Sequence, residues 1–124
     1  MRKGPTYREA VLMHAVARLS LHPHISNIQT SWTKMGPEGA KACLNAGCND
    51  LGGTLMNESI SRAAGSAHGQ EMPPEEMEAL INSMGRTPKQ RTTLYGTPTT
   101  KLQNASFAAA PLNPVINTPL TKGR

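Results

Sequence analysis

The sequence predicts an α/β chain that is part of a larger domain, either a doubly wound sheet or the end of a barrel. Two observations predict it. Helix-like and strand-like segments alternate along the first 85 residues, and alternation of this kind implies a parallel sheet. Only two segments read as strands, which is too few for a parallel sheet that must be covered on both faces. A full eight-stranded barrel takes roughly 250 residues, so a chain of 124 residues could supply about a quarter of the strands. No internal repeat is visible.

The elements follow in order. Thr6 and Glu9 fit the T-x-x-E capping box and open a helix near Tyr7. Leu12, Ala15, Val16 and Leu19 recur at helical spacing and predict its buried face. The helix should stop before Pro23, because the residue preceding a proline avoids the α region. "ISNIQTSW", Ile25 to Trp32, alternates and carries β-branched residues, which predicts a strand. Asn27, Gln29 and Ser31 then point one way, with Ile28, Thr30 and Trp32 on the other. In "GPEGAKACLNAG", Pro37 suits a first helical turn, Glu38 a helix N-terminus and Gly47 a C-terminal stop. Ala40, Cys43 and Leu44 form the apolar face of that helix. "CNDL" reads as the second strand, and a helix around Glu58–Ala64 ends at Gly65. The last predicted helix starts at Pro74 and is over by Gly85, with Met77, Leu80, Ile81 and Met84 as its stripe.

Composition narrows the class. No run of eighteen or more apolar residues is present, and no basic-then-apolar leader. Two cysteines do not make a disulfide scaffold, and the expectation is a cytoplasmic protein with no membrane partner. The net charge of +5 is uneven. Residues 1–85 hold seven Lys/Arg against eight Asp/Glu, whereas residues 86–124 hold six Lys/Arg and no acid. The basicity belongs to the tail, which argues against a nucleic-acid surface on the domain itself. Residues 97–124 are rich in proline and short of apolar residues, which predicts an extended or disordered tail.

In parallel α/β folds, ligands bind at the C-terminal ends of strands. Ser31-Trp32 and the stretch from Asp50 to Thr54 lie at such ends. Gly52 and Gly53 would let backbone approach a ligand closely, and the N–H groups of the following helix could hold an anionic group. Asp50 reads equally as a ligand contact or as the cap of its own turn, and Glu58 with Arg62 as an ordinary helical ion pair. His22, His24, Cys43 and Cys48 do not make a persuasive zinc set. Cys43 falls on an apolar helix face, where a free cysteine is usually a small core residue, and Trp32 reads first as core. Two cysteines alone do not hold an iron–sulfur cluster.

The phrases "NIQTSW", "NDLGGTLMNESISRAAG" and "QRTTLYG" say more. Residues 2–96 closely resemble the C-terminal region of the tyrosine-using component of the FO synthase family, and "APLNPVINTP" is more loosely similar to family C-termini. FO is the deazariboflavin chromophore of the deazaflavin coenzyme. The resemblance implies a radical S-adenosylmethionine (radical SAM) transferase with a TIM-like barrel, a [4Fe–4S] cluster held by a C-x3-C-x2-C motif, and S-adenosyl-L-methionine. It also implies L-tyrosine and 5-amino-6-(D-ribitylamino)uracil as substrates, joined through a 4-hydroxybenzyl unit, and a companion FO synthase component that closes the ring. The C-x3-C-x2-C motif is absent here, and Cys43 and Cys48 do not replace it. The chain therefore reads as about the last two βα units of such a barrel, residues 1–96, followed by a basic tail, residues 97–124, and as inactive by itself. The cavity-facing, substrate-binding expectations are Gln29, Ser31, Asn49, Asp50, Thr54 and Glu58, since one face of each barrel strand points inward. Two alternatives stand beside this one. One is a related radical enzyme of futalosine-route menaquinone biosynthesis; the other is a small basic module that binds through its tail.

Overall fold

The computed structural model of the chain describes residues 3–54 and 71–110. The expected helix around Glu58–Ala64 and the end of the tail, from Pro111 onward, lie outside the described residues. Four helices are present among them: α1 Tyr7–Leu21, α2 Trp32–Asn45, α3 Pro74–Ser83 and α4 Thr100–Ala108.

Both halves of the capping box close at the start of α1. The Glu9 N–H donates to Thr6 Oγ1 (3.2 Å) and the Thr6 N–H donates to Glu9 Oε2 (2.7 Å). The helix ends at Leu21, ahead of Pro23 as expected. Its expected buried face is corrected: Leu12, Val16 and Leu19 are 49, 57 and 83% exposed. The side turned toward α2 is rotated by one residue and carries Val11, His14 and Arg18. Arg18 sets this rotation. It donates from Nε to the Gly47 carbonyl (2.7 Å), from Nη1 to the Ser26 carbonyl (2.9 Å) and from Nη2 to Asn49 Oδ1 (3.3 Å). Gly47 is packed so close that a Cβ there would lie 2.7 Å from Arg18 Cβ. A polar anchor that ties three separate chain positions thus outweighs the count of apolar residues.

The expected strand Ile25–Trp32 is also corrected. It shrinks to one parallel bridge, Gln29 to Asp50, with the Thr30 N–H on the Asp50 carbonyl (2.9 Å) and the Asn49 N–H on the Ile28 carbonyl (3.0 Å). The second expected strand, "CNDL", contributes only the Asp50 end of that bridge. The physical reason is that one pairing partner cannot sustain a longer parallel ladder. The alternation survives nonetheless: Thr30 and Trp32 are buried, with Ile28 packed against the core.

Trp32 is already helical, five residues before the expected start of α2. The Met35 N–H reaches the Ser31 carbonyl (2.9 Å) and closes a first turn. Gly36 then takes φ 72°, ψ 172°, and Pro37 restarts the helix beyond the kink. Ala40, Cys43 and Leu44 are buried as the periodicity predicts. In α3, Pro74 sits in the first turn with Glu75 and Glu76, as suits the positive end of a helix. Its stripe meets α2: Met77 and Leu80 join Trp32, Ala40, Cys43, Leu44, Cys48, Leu51 and Met72 in the core, with Ile81 and Met84 against it.

The tail expectation is corrected for residues 100–108, which form α4. Thr99 caps it through Oγ1, which accepts from the Leu102 N–H (3.3 Å). Pro98 is buried just before it. α4 packs on α3, and Gln90 Nε2 ties the preceding segment to Ser106 Oγ (3.1 Å). No described helix is long and apolar enough to cross a membrane.

The core assignment has a direct check in urea unfolding. Leu80→Ala, at a side chain 8% exposed, should cost ~2–5 kcal/mol. Leu19→Ala, 83% exposed, should stay within ~0.5 kcal/mol in this chain.

Candidate functional site

The bridge between Gln29 and Asp50 brings two chain segments side by side, and residues 86–96 run across them. Between these segments, α3 and α4 lies an open groove of ≈ 820 Å³. Asn27, Gln29, Asn49, Asp50, Gly52, Gly53 and Thr54 line one wall; Arg86, Lys89, Arg91 and Tyr95 line the other.

Of the sequence-expected site residues, Gln29, Asn49, Asp50 and Thr54 meet at this groove. Ser31 is not among its lining residues: its hydroxyl pairs with Thr33 Oγ1 at 2.8 Å, at the start of α2. Glu58 lies outside the described residues. Two more residues belong to the site, Arg91 and Tyr95. Their only sequence signal is the phrase "QRTTLYG", an arginine and a tyrosine in a segment otherwise marked by proline and basic charge.

Asp50 is saturated from within. Oδ1 accepts from the Gly52 N–H (2.8 Å) and closes the turn that carries Gly52 and Gly53. Oδ2 accepts from Arg91 Nε (2.8 Å), Arg91 Nη2 (2.7 Å) and the Tyr95 hydroxyl (2.7 Å). The Arg91 guanidinium also stacks 4.3 Å from the centre of the Tyr95 ring. Burial would raise the Asp50 carboxyl, but the bonds from Gly52, Tyr95 and Arg91 and the Arg91 charge outweigh it and hold it below its ordinary value. The hydrogen bond to Asp50 pushes the Tyr95 phenol up in turn. Tyr95 sits at φ 63°, a left-handed conformation that is uncommon for a bulky residue and marks local constraint. A tight turn holds it there, with the Tyr95 N–H on the Thr92 carbonyl (3.0 Å) and the Gly96 N–H on Thr92 Oγ1 (2.9 Å).

Asn49 is committed too. Its Oδ1 accepts from the Ile28 N–H (2.9 Å) and its Nδ2 donates to Asn27 Oδ1 (3.0 Å). Of the four sequence-expected residues at the groove, Gln29 and Thr54 are the two whose side chains carry no hydrogen bond to the described residues. Gln29 lies over Gly52, where a Cβ would be 2.6 Å from its Nε2 and where φ is +80°. Trp32 Nε1 donates to the Gly53 carbonyl (2.8 Å) and fixes the turn from behind.

The cysteines do not fit an iron–sulfur cluster. Both are free and buried in the core. Burial first, and the neighbouring Cys43 second, push the Cys48 thiol up to about 11 against the opposing effect of Arg18. Neither faces the groove. Among the described residues, no three His, Cys, Asp or Glu side chains gather at metal-binding distance.

The family model described as the CofH/MqnC C-terminal region matches residues 1–104. An FO synthase of Streptomyces avermitilis is 52% identical over 108 residues, covering 87% of this chain and 12% of that protein. The 5-amino-6-(D-ribitylamino)uracil--L-tyrosine 4-hydroxyphenyl transferase of Archaeoglobus fulgidus is 55% identical over 93 residues, 75% of this chain and 27% of that protein. Its counterpart in Methanopyrus kandleri is 54% identical over 94 residues, 76% of this chain and 26% of that protein. The chain thus spans about an eighth of the FO synthase and about a quarter of the transferases. No solved structure matches.

The clamp on Asp50 can be tested by unfolding. Tyr95→Phe removes one hydrogen bond to the buried Asp50 carboxylate and should lower the stability measurably. Arg91→Ala removes two and the counter-charge, and should cost more. The folded Asp50 carboxyl lies below its ordinary 3.8, so the stability it contributes is complete above about pH 5 and fades as pH falls through the depressed value. Asp50→Asn should flatten that acid limb in a series of urea melts against pH.

Proposed function

Because the chain belongs to the CofH/MqnC C-terminal family, we propose that it is the C-terminal part of an enzyme that makes FO by joining the 4-hydroxybenzyl unit of L-tyrosine to 5-amino-6-(D-ribitylamino)uracil. The observation that carries this reading is the identity of 52–55% to an FO synthase and to a transferase named for those two substrates. Radical S-adenosylmethionine chemistry, with its cluster, belongs to the part of the enzyme outside this chain. The architecture proposed for the whole is a barrel whose last two βα units this chain supplies, with the groove on the inward side.

The chain's own residues then bind and orient. A hydroxyl-rich, heteroaromatic substrate needs donors and acceptors that are not already paired, and Gln29 and Thr54 meet that condition. Asn49 and Asp50 act one step removed. Asn49 aligns the two segments of the bridge, and Asp50 fixes the Gly52–Gly53 turn on which Gln29 lies. Residues 86–96 wall the groove and limit water at that side. The reading of the tail as a free basic binding arm loses support, because α4 packs on α3 and the tail is part of the fold through residue 108.

A chimera tests the proposal. The matching C-terminal portion of the Archaeoglobus fulgidus transferase is replaced by this chain, and coupling of tyrosine to the ribitylaminouracil is assayed with S-adenosylmethionine and a reductant. Product formation is expected, and a soluble chimera with a bound cluster but no product would refute the assignment. In the active chimera, Gln29→Ala should raise the KM for one of the two substrates by about tenfold, the worth of one hydrogen bond, with a smaller change in kcat. An unchanged KM for both would remove Gln29 from the binding set.

A further inference from the structure

The face of α3 turned to the groove carries Pro74, Met77, Glu78 and Ile81, at i, i+3, i+4 and i+7. Three of these are apolar and one is charged. The helix has two other acids, Glu75 and Glu76, and neither lines the groove. Glu78 is therefore a single carboxylate set in an apolar stripe.

The cations of the groove are Arg86, Lys89 and Arg91, all on the wall formed by residues 86–96. Arg91 is committed to Asp50 and to the Thr92 carbonyl. Arg86 donates from Nη1 to the Leu44 carbonyl (3.0 Å), in the last turn of α2, where a cation also meets the negative end of the helix. Lys89 has no hydrogen bond or ion pair to the described residues, and Glu78 has none either. Among the charged groups that line the groove, the two left unpaired are thus opposite in sign, and no ion pair joins them to each other. An unpaired carboxylate and an unpaired ammonium facing one cleft are complementary to a zwitterion, which offers each of them a charge-assisted hydrogen bond.

We infer that Glu78 and Lys89 hold the ammonium and the carboxylate of an α-amino acid, L-tyrosine, whose ring lies on Met77 and Ile81. The inference rests on the function proposed above and deepens it, by naming the substrate that this side of the groove takes and the residues that take it. Two amino-acid heads are present in that reaction, one on L-tyrosine and one on S-adenosylmethionine. Two observations favour tyrosine. An aromatic ring suits an apolar stripe that includes a methionine sulfur. The groove is lined by three cations and two acids among the described residues, so a head group without net charge fits better than a ligand that brings a further sulfonium charge. The ribitylaminouracil has no fixed charge and would leave Glu78 and Lys89 unpaired; its polar groups match the uncharged Gln29 side instead.

Titration calorimetry on the Archaeoglobus chimera described above tests this without turnover. The ligands are L-tyrosine, tyramine, which lacks the carboxylate, 3-(4-hydroxyphenyl)propionate, which lacks the ammonium, and S-adenosylmethionine. Glu78→Gln should weaken L-tyrosine and tyramine by about tenfold and leave the propionate unchanged, since one charged hydrogen bond is lost. Lys89→Gln should weaken L-tyrosine and the propionate to a similar degree and leave tyramine unchanged. S-adenosylmethionine should bind both variants as it binds the parent. Glu76→Gln, on the same helix but off the groove, should alter none of the four. Neither Glu78 nor Lys89 is bonded within the described chain, so the thermal midpoints should not move. An equal loss for both analogues in either variant, a loss confined to S-adenosylmethionine, or a folded chimera that binds no tyrosine would overturn the inference. A chimera that couples the two substrates with a tyrosine KM indifferent to both substitutions overturns the inference and leaves the function standing. The crossed pattern in a chimera that makes no product supports the site and counts only against the function.

Discussion

One carboxylate holds the site together. Asp50 lies at the meeting point of the parallel bridge, the Gly52–Gly53 turn and the segment from Arg86 to Gly96, and it receives a hydrogen bond from each side that needs one. A buried carboxylate without partners would be expensive, so the three donors from Arg91 and Tyr95 are as necessary to Asp50 as it is to them. The consequence runs outward. The turn fixes Gly53 against Trp32, and the Arg86–Gly96 segment, once held, positions α4 through Gln90 and Ser106. A short stretch of loop is thereby given the rigidity of an element without being a helix or a strand.

Two kinds of polar residue line the groove, and they differ in what they are free to do. Asn49 and Asp50 are occupied by backbone and side chains of the chain itself. Gln29 and Thr54 are not. Residue type alone cannot separate these groups, since amides and carboxylates at strand ends are equally suited to capping a turn or holding a ligand. The separation comes from counting donors and acceptors around each atom. By that count the Gln29 amide is left unpaired, and the carboxylate that looks most chemical is a structural tie.

How much could be read from the sequence depended on the range of the interaction. The Thr6–Glu9 capping box, the stop before Pro23 and the α3 stripe of Met77, Leu80, Ile81 and Met84 are local patterns, and they were legible. The orientation of α1 was not, because Arg18 reaches 29 residues ahead to Gly47 and a periodicity of apolar residues carries no trace of that bond. The strand Ile25–Trp32 was legible as an alternation but not as a length, since its extent depends on neighbours that no local pattern supplies. α4 was hidden by the prolines around it, although residues 99–110 contain none. At the site, Asp50 and Thr54 were readable at a strand end, Asn49 beside them and Gln29 on an inward strand face, whereas Arg91 and Tyr95 reach Asp50 across 41 and 45 residues.

The bond from the Trp32 indole to the Gly53 carbonyl has a consequence of a different kind. Trp32 is the sole tryptophan of the chain and is buried directly behind the turn that borders the groove. An indole N–H held by a carbonyl in a dry setting emits toward the blue, and emission shifts when that carbonyl moves or when water reaches the ring. The protein therefore carries an intrinsic optical probe behind the Gly52–Gly53 turn, with no second tryptophan to blur the signal. Any movement of the Gly52–Gly53 turn can be followed by light alone, without labelling and without turnover.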